Sequence, residues 1–464
     1  MGTHAPIKHH PSRVWWPTHR ASRTLLPRMR MALLAAASFL LSSASPTKAL
    51  DLKSGAGQRS STFAYGKELK RWDNIKQYGA QTVGARERTS LQPDDIRIGN
   101  YIISPSIETR YVFNDNIFAT AGDRIADQNL QLLPKIKFSS RFARHTMDFE
   151  VGGSINRYVK HTELNYNDVY GSFDGALHIN NAHTLSVSLL SAYEHEDPLA
   201  EYAPLGAIEL TPIWHNKANI GLTRDAGRMH ATISATYEAW DFGDVKARNG
   251  STINQDARDL KVFSSDIKLG YRFSPGYSFE TRIRGMRRLH RGDTTFDSDA
   301  WGYEIISGLK LETNPLLKWQ FLAGYGVRDY DAKNLQNNNI TLIQGRVTWL
   351  PTQRLTINGI IRRAFDDGIS ENEEKGTINN SAQISAAYEA SRNLIFTISG
   401  KYMESEFMSS LRRDRLRIGN FKIEYLHSKN WRFTLDYEHS QRTSNVAERD
   451  TTRNKLMFGA KLRF

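Results

Sequence analysis

A two-residue rhythm runs through the chain from about residue 100 to its end. In the final segment Leu456, Phe458, Ala460, Leu462 and Phe464 share one parity, while Lys455, Met457, Gly459, Lys461 and Arg463 share the other. Successive side chains of a strand point to opposite faces, so this spelling makes one apolar face and one wet face. It recurs in Trp431, Phe433, Leu435 and Tyr437 against Arg432, Thr434, Asp436 and Glu438. It recurs in Phe263, Ser265, Ile267, Leu269, Tyr271 and Phe273 against Asp266, Lys268 and Arg272, and in Trp319, Phe321, Ala323, Tyr325 and Val327 against Lys318, Gln320 and Arg328. Tight turns of Gly, Pro, Asn, Asp and Ser fall near 142–144, 180–181, 225–227, 274–276, 314–315, 351–352, 391–393 and 428–430, built of the residues that turns demand. Longer polar loops fall near 114–127, 160–167, 197–210, 243–257, 291–298, 331–338, 367–376, 405–411 and 443–450. Eight turns linking nine hairpins predict about 18 antiparallel strands.

Short turns alternating with long loops, on strands greasy on one side, describe an all-β transmembrane barrel of the outer membrane. Closure removes the sheet edges that lipid cannot hydrate, and an even strand count puts both barrel ends on the periplasmic side. Tyr101, Tyr111, Phe113, Trp214, Trp301 and Trp349 suit the aromatic girdles at the two interfaces. A soluble propeller also repeats every forty residues or so. Its blades need apolar residues on both faces, whereas here one parity is persistently charged, Gly or Ser. No apolar run approaches the roughly 18–20 residues of a spanning helix. The absence of cysteine removes disulfide scaffolds, thiolate metal sites and cysteine nucleophiles. The histidines lack zinc spacing, and neither a nucleophile elbow nor a phosphate-binding glycine loop occurs. No enzyme activity, metal or cofactor is therefore expected.

The formal charge of +13 does not indicate a nucleic-acid partner. Residues 1–50 hold seven Lys and Arg and no acid, and residues 99–464 carry only +3; a nucleic-acid footprint needs a concentrated basic stripe. Arg28 and Arg30 precede the apolar run Met31–Leu41, and Thr47-Lys48-Ala49 follows. This reads as a secretory signal peptide over 1–49 with cleavage near Ala49. Residues 50–98 form a polar periplasmic segment in which Tyr65, Leu69, Trp72 and Ile75 either make one face of a short docking or plug helix or belong to a disordered stretch with transient helix. Residues 99–464 form the barrel.

The stretch Pro93-Asp94-Asp95-Ile96-Arg97-Ile98-Gly99-Asn100-Tyr101-Ile102-Ile103-Ser104-Pro105-Ser106-Ile107-Glu108, followed by Tyr111 and by Asn114-Asp115-Asn116-Ile117-Phe118-Ala119-Thr120, resembles the opening of the β-barrel porin 2 family. These are outer-membrane proteins often linked to exopolysaccharide or capsule gene clusters. Asn114 replaces an acid of the family motif, and Tyr101 stands where Phe is usual. The acidic Glu194-His195-Glu196-Asp197-Pro198 is similar to the family's outer loop. The resemblance implies outer-membrane location and a passive conduit or assembly factor for exopolysaccharide. Its implied partners are polysaccharide, periplasmic polysaccharide-export proteins, outer-membrane lipid and lipopolysaccharide. Phe464, an aromatic carboxy terminus as in many barrels, implies insertion by the barrel assembly machinery.

With the greasy parity toward lipid, the lumen receives Asp266, Lys268, Arg272, Glu280, Arg282, Arg284, Arg288, Arg346 and Arg362. The arginines and lysines on neighbouring strands either attract an anionic sugar or small anion or form a ladder with Asp266 and Glu280. The loop carrying Glu194, His195, Glu196 and Asp197 either folds into the pore as a constriction or lies outside. Asn114, Asp115 and Asn116 suit Asx-turns that end a strand, with Ile117 and Phe118 pinning the loop to the rim; a calcium site is the less favoured reading. A general or anion-preferring diffusion porin, and a closed structural or adhesive barrel, are the competing functions.

Overall fold

The computed structural model of the chain describes Gly2 and residues 81–464 other than 87, 95, 291–297, 334 and 369–374. The chain divides into Met1–Ser42 and Ser43–Phe464, and the strands fall in the second unit. The leader and the Tyr65–Ile75 face lie outside the described residues.

Eighteen strands form the wall: β1 (Tyr101–Asn114), β2 (Asp127–Ser140), β3 (His145–Tyr158), β4 (Tyr166–Asn180), β5 (His183–His195), β6 (Pro212–Ala226), β7 (Met229–Phe242), β8 (Leu260–Ser274), β9 (Tyr277–His290), β10 (Ala300–Asn314), β11 (Leu317–Tyr330), β12 (Asn338–Thr352), β13 (Leu355–Asp366), β14 (Thr377–Ser391), β15 (Leu394–Phe407), β16 (Arg413–Leu426), β17 (Trp431–Ser444) and β18 (Thr451–Arg463). Each pairs antiparallel with its sequence neighbours, and β1 also pairs with β18, from Ser106 opposite Arg463 to Asn114 opposite Lys455. The ring is closed, so no long edge is left for lipid or for another chain to meet. Ahead of β1, Ile96–Ile98 folds back on Tyr101–Ile103 as a short strand.

The turns are local chemistry. Asn314 Oδ1 accepts from the N–H groups of Leu316 (2.9 Å) and Leu317 (2.8 Å), closing the β10–β11 hairpin as an Asx-turn. Gly276 turns β8 into β9 at φ 77°, where a Cβ would stand 2.6 Å from the Glu312 carbonyl oxygen. By the rule for outer-membrane barrels, the short turns face the periplasm and the long loops the exterior.

The two parities separate as the alternation predicts. Ile384 and Ile398 are 61% exposed on the outer face, while Ser405 and Thr356, of inward parity, are buried. Tyr101, Tyr111, Phe113, Trp214 and Trp349 are exposed near the strand ends, and Trp301 lies half-buried beneath Arg287 (5.4 Å). The inner face is less uniformly wet than its spelling suggests. Ile306, Leu322, Ile340, Leu342 and Phe365 pack into one apolar cluster inside the barrel. Ala364, Ile378 and Met408 pack against them, and together they bury apolar surface on the inner side of the wall.

Candidate functional site

The loop between β5 and β6, residues 196–211, leaves the wall and crosses the lumen. β14 stands nine strands from β5 in the closed ring, diametrically across it. Tyr202 nevertheless donates through its hydroxyl to Thr377 Oγ1 of β14 (3.3 Å) and sets its ring edge-on to Phe407 of β15 (5.7 Å). Leu199 packs on Leu416 of β16 and on Ala119. Asp197 accepts from Arg453 Nη1 (2.6 Å) and Lys455 Nζ (3.2 Å) of β18. Three consecutive loop carbonyls are also taken: Arg442 donates to Leu199 and Ala200 (3.4 Å each), and Arg412 donates to Glu201 (2.9 Å). On the near side, Arg258 grips Glu196 with both Nη nitrogens (2.9 and 2.6 Å) while lying over the Phe242 ring (4.2 Å). Such bidentate charged pairs are the strong class of hydrogen bond.

Two loop carboxyls are driven in opposite directions. Burial works to raise the pKa of Asp197, but Arg453 and Lys455 beside it outweigh burial and hold the carboxyl well below the usual range. Glu201 is buried and faces Asp366, and its pKa is pushed up to about 7. Asn379 Nδ2 bridges the two carboxyls, 3.3 Å from Glu201 Oε2 and 3.2 Å from Asp366 Oδ2.

Of the four acidic-loop positions singled out in the sequence, only Asp197 reaches the far wall. Glu194 is buried at the end of β5, and Glu196 is tied to the neighbouring loop. His195 lies between the rings of Tyr166 (4.9 Å) and Tyr193 (5.4 Å) and bonds Asp168 (2.9 Å). The remaining contacts across the lumen come from Leu199, Ala200, Glu201 and Tyr202. Their signal was present: apolar and aromatic residues between Pro198 and Pro204, in a loop otherwise expected to be polar.

The basic cluster of the inner wall is interleaved with acids. Asp266 accepts from Arg284 Nε (2.9 Å) and lies 3.8 Å from Arg282 Nε. Glu304 is 3.8 Å from Arg282 and 2.9 Å from Arg328. Asp367 is 2.9 Å from Arg328 and 3.6 Å from Arg288. Arg328 is 1% exposed, and it links the acids of β10 and of the loop after β13; the sequence showed its parity and not its centrality. Burial opposes ionisation of Asp367, and Arg328 and Arg288 more than reverse this, lowering its pKa. Arg272 pairs with Asp225 at the periplasmic turn, and Glu280 accepts from Gln320 Nε2 (2.6 Å). Lys268, Arg346 and Arg362 face inward; Lys268 and Arg362 line the cavity described next, and Arg346 is buried in the β12 wall.

Beside the crossing loop lies a cavity of about 950 Å³, lined from β5 round to β13 and by parts of β15–β17. It extends from Asp225, His230 and Arg272 at the periplasmic end to Phe242 and Arg258 at the outer end. Along β5–β7 it is lined by hydroxyls and amides, among them Thr184, Ser186, Asn219, Thr223, Ser234 and Thr236. Charges on this wall come as pairs, such as Lys217 with Glu238 (2.8 Å).

The first-loop motif is a built turn. Asn116 is fully buried; its Oδ1 accepts from the Thr120 N–H (3.0 Å), and its Nδ2 donates to Thr120 O (2.9 Å) and Thr452 O (3.1 Å). Asn114 Oδ1 accepts from the Asn116 N–H (3.0 Å), and Asp115 holds Asn454 by main chain and side chain (2.6 Å each). Ile117 is buried, whereas Phe118 is half-buried against His161 (5.7 Å). Phe464 closes the barrel through its N–H to the Pro105 carbonyl (3.2 Å).

The periplasmic mouth is occupied as well. Val83 is 0% exposed, clustered with Ile395 of β15 and Leu426 of β16, and its N–H donates to Thr356 Oγ1 (2.9 Å). Arg86 and Arg88 both pair with Glu389 of β14, and Arg463 Nη2 donates to the Leu91 carbonyl (3.0 Å). Residues 82–86 and 88–91 thus lie across inward-facing ends of β13–β16 and β18.

A family described as "Putative beta-barrel porin 2" matches residues 89–464. No curated protein matches the chain. Among solved structures, the outer membrane protein OpdK from Pseudomonas aeruginosa is 12% identical, with 78% of this chain and 99% of that one covered at a TM-score of 0.43. OccAB4 from Acinetobacter baumannii is 13% identical over 79% and 98% of the two chains, with a TM-score of 0.43. OpdO from Pseudomonas aeruginosa is 12% identical over 79% and 98%, with a TM-score of 0.44.

Proposed function

The chain belongs to the "Putative beta-barrel porin 2" family, a porin-like β-barrel of the outer membrane, and from that premise we propose that its lumen is a passive conduit for an exopolysaccharide chain. The observation that carries this reading is the long cavity beside the 196–211 loop, lined along β5–β7 by hydroxyls and amides and farther round by ion-paired charges and by apolar residues such as Ile306, Leu322 and Leu342. A sugar chain entering it exchanges hydrogen bonds to water for hydrogen bonds to Thr, Ser and Asn, at little net cost. Paired charges bind no single anion tightly, so a polymer slides rather than sticks. In this reading Asp197, Glu201 and Tyr202 hold the crossing loop as the constriction. Phe464 is read by the barrel assembly machinery, and the segment after cleavage near Ala49 meets periplasmic export proteins that supply the driving force.

A diffusion porin is the second reading, favoured by the cavity's extent from the periplasmic end to the outer end of the barrel. Bilayer recordings separate the two. A steadily open pore with salt-like currents, undisturbed by added oligosaccharide, supports the porin; brief blockades by oligosaccharide support the conduit. Deletion of the gene is expected to reduce surface polysaccharide, and an unchanged coat would end the export reading.

A further inference from the structure

The outer wall carries a feature that solute passage does not use. The outward residues of β16 read Arg413, Arg415, Arg417, Gly419, Phe421, Ile423 and Tyr425 from the extracellular end down. The apolar part faces hydrocarbon; the three arginines continue the same face beyond it. Arg413 and Arg415 keep 52% and 48% of their side chains exposed, and Arg417 is exposed as well. Glu404 and Glu406 on the outward face of β15 align the first two: Arg415 Nε donates to Glu404 Oε1 (3.1 Å), and Arg413 Nη2 lies 3.5 Å from Glu406 Oε1. Arg417 stands opposite Tyr402 and Gln441, with no ion pair to a described residue. A groove of about 550 Å³ opens at the rim above, lined among others by Arg413, Arg415, Thr443, Asn445 and Leu411, the last 94% exposed.

From this we infer that the outer face of β15–β17 at its extracellular end binds the phosphorylated headgroup of an outer-leaflet glycolipid. Guanidinium forks match phosphate oxygens bidentately. Alternate residues of a strand lie about 7 Å apart, so the three arginines span a length comparable to a disaccharide with a phosphate at each end. Their position at the top of the lipid-facing surface selects a lipid-borne phosphate over a soluble one, and the apolar Phe421 and Ile423 below them on the same face suit its acyl chains. Other outward charges near this end, such as Arg157 and Lys261, stand singly on their strands.

The test uses the full chain folded in detergent and native mass spectrometry. The probes are bis-phosphorylated lipid A, the same lipid without phosphates, and inorganic phosphate as competitor. Wild type should retain lipid A, and the triple variant R413S/R415S/R417S should lose it at least tenfold. Arg157→Ser with Lys261→Ser should leave retention unchanged. A triple variant that keeps its heat-modifiable migration, and hence its fold, yet retains lipid A like wild type overturns the assignment. So does equal retention of the phosphate-free lipid. Displacement by inorganic phosphate at low concentration would mark a soluble-anion site instead and equally refute the glycolipid.

Discussion

At the scale of single residues, the crossing loop is held by groups with opposed pH behaviour. Glu201 ionises less readily docked than free, because burial and Asp366 favour its neutral form. Its contribution to docking is therefore full below the ordinary carboxyl value of 4.5 and is lost as pH rises to about 7. The loss is on the order of 3 kcal/mol at 1.36 kcal/mol per unit. Asp197 has a lowered pKa, so its contribution is full above the ordinary 3.8 and fades only below it. Single-channel recordings should show the docked state losing occupancy between these limits in wild type and not in Glu201→Gln; an identical pH profile would remove Glu201 from the latch. Asp266 invites a second substitution. It neutralises Arg284 and Arg282 on a cavity wall. A unit charge about 7 Å from a passing ion in water contributes roughly 0.6 kcal/mol. Asp266→Asn should then raise anion and lower cation permeability by about threefold each, shifting their ratio upward by about eightfold, read as a reversal potential in a salt gradient.

At the scale of elements, the 82–91 segment behaves as a strap with few attachments. Burying a valine side chain is worth about 1.5–3 kcal/mol, and Val83 is the buried apolar anchor. Val83→Asp should raise the undocked population by about 10- to 100-fold, since each 1.4 kcal/mol is a factor of ten. Arg86 and Arg88, now paired with Glu389, should become trypsin targets at a correspondingly faster rate while the barrel stays intact. Cleavage at the wild-type rate would show that the strap is held elsewhere.

At the scale of the whole molecule, the assignment of lipid and lumen faces is itself measurable. Ile398 faces outward in the middle of β15, and its neighbour Ser399 faces inward. An arginine on the lipid side at the bilayer midplane costs about 2–4 kcal/mol, and one in the lumen meets water. Denaturant titrations of folding into bilayers should therefore separate Ile398→Arg from Ser399→Arg by that margin. Equal stabilities would mean the faces are assigned wrongly.

What the linear chain settled is what depends on nearest neighbours. Alternation along β18, the Asn314 turn and the Asn114–Asn116 motif act over a few residues, and each could be read before any contact was known. Strand number and facing followed, because short turns force sequential antiparallel pairing and lipid demands closure. Contacts across the ring were decided only by the tertiary structure. Asp197 meets Arg453, Val83 meets Leu426, and Arg328 joins Glu304 to Asp367 because an eighteen-strand ring brings distant parts of the chain together. Within the inward parity all charges look alike in sequence. Which of them pair, and which loop enters, depends on curvature and diameter, and those belong to the closed sheet rather than to any one strand.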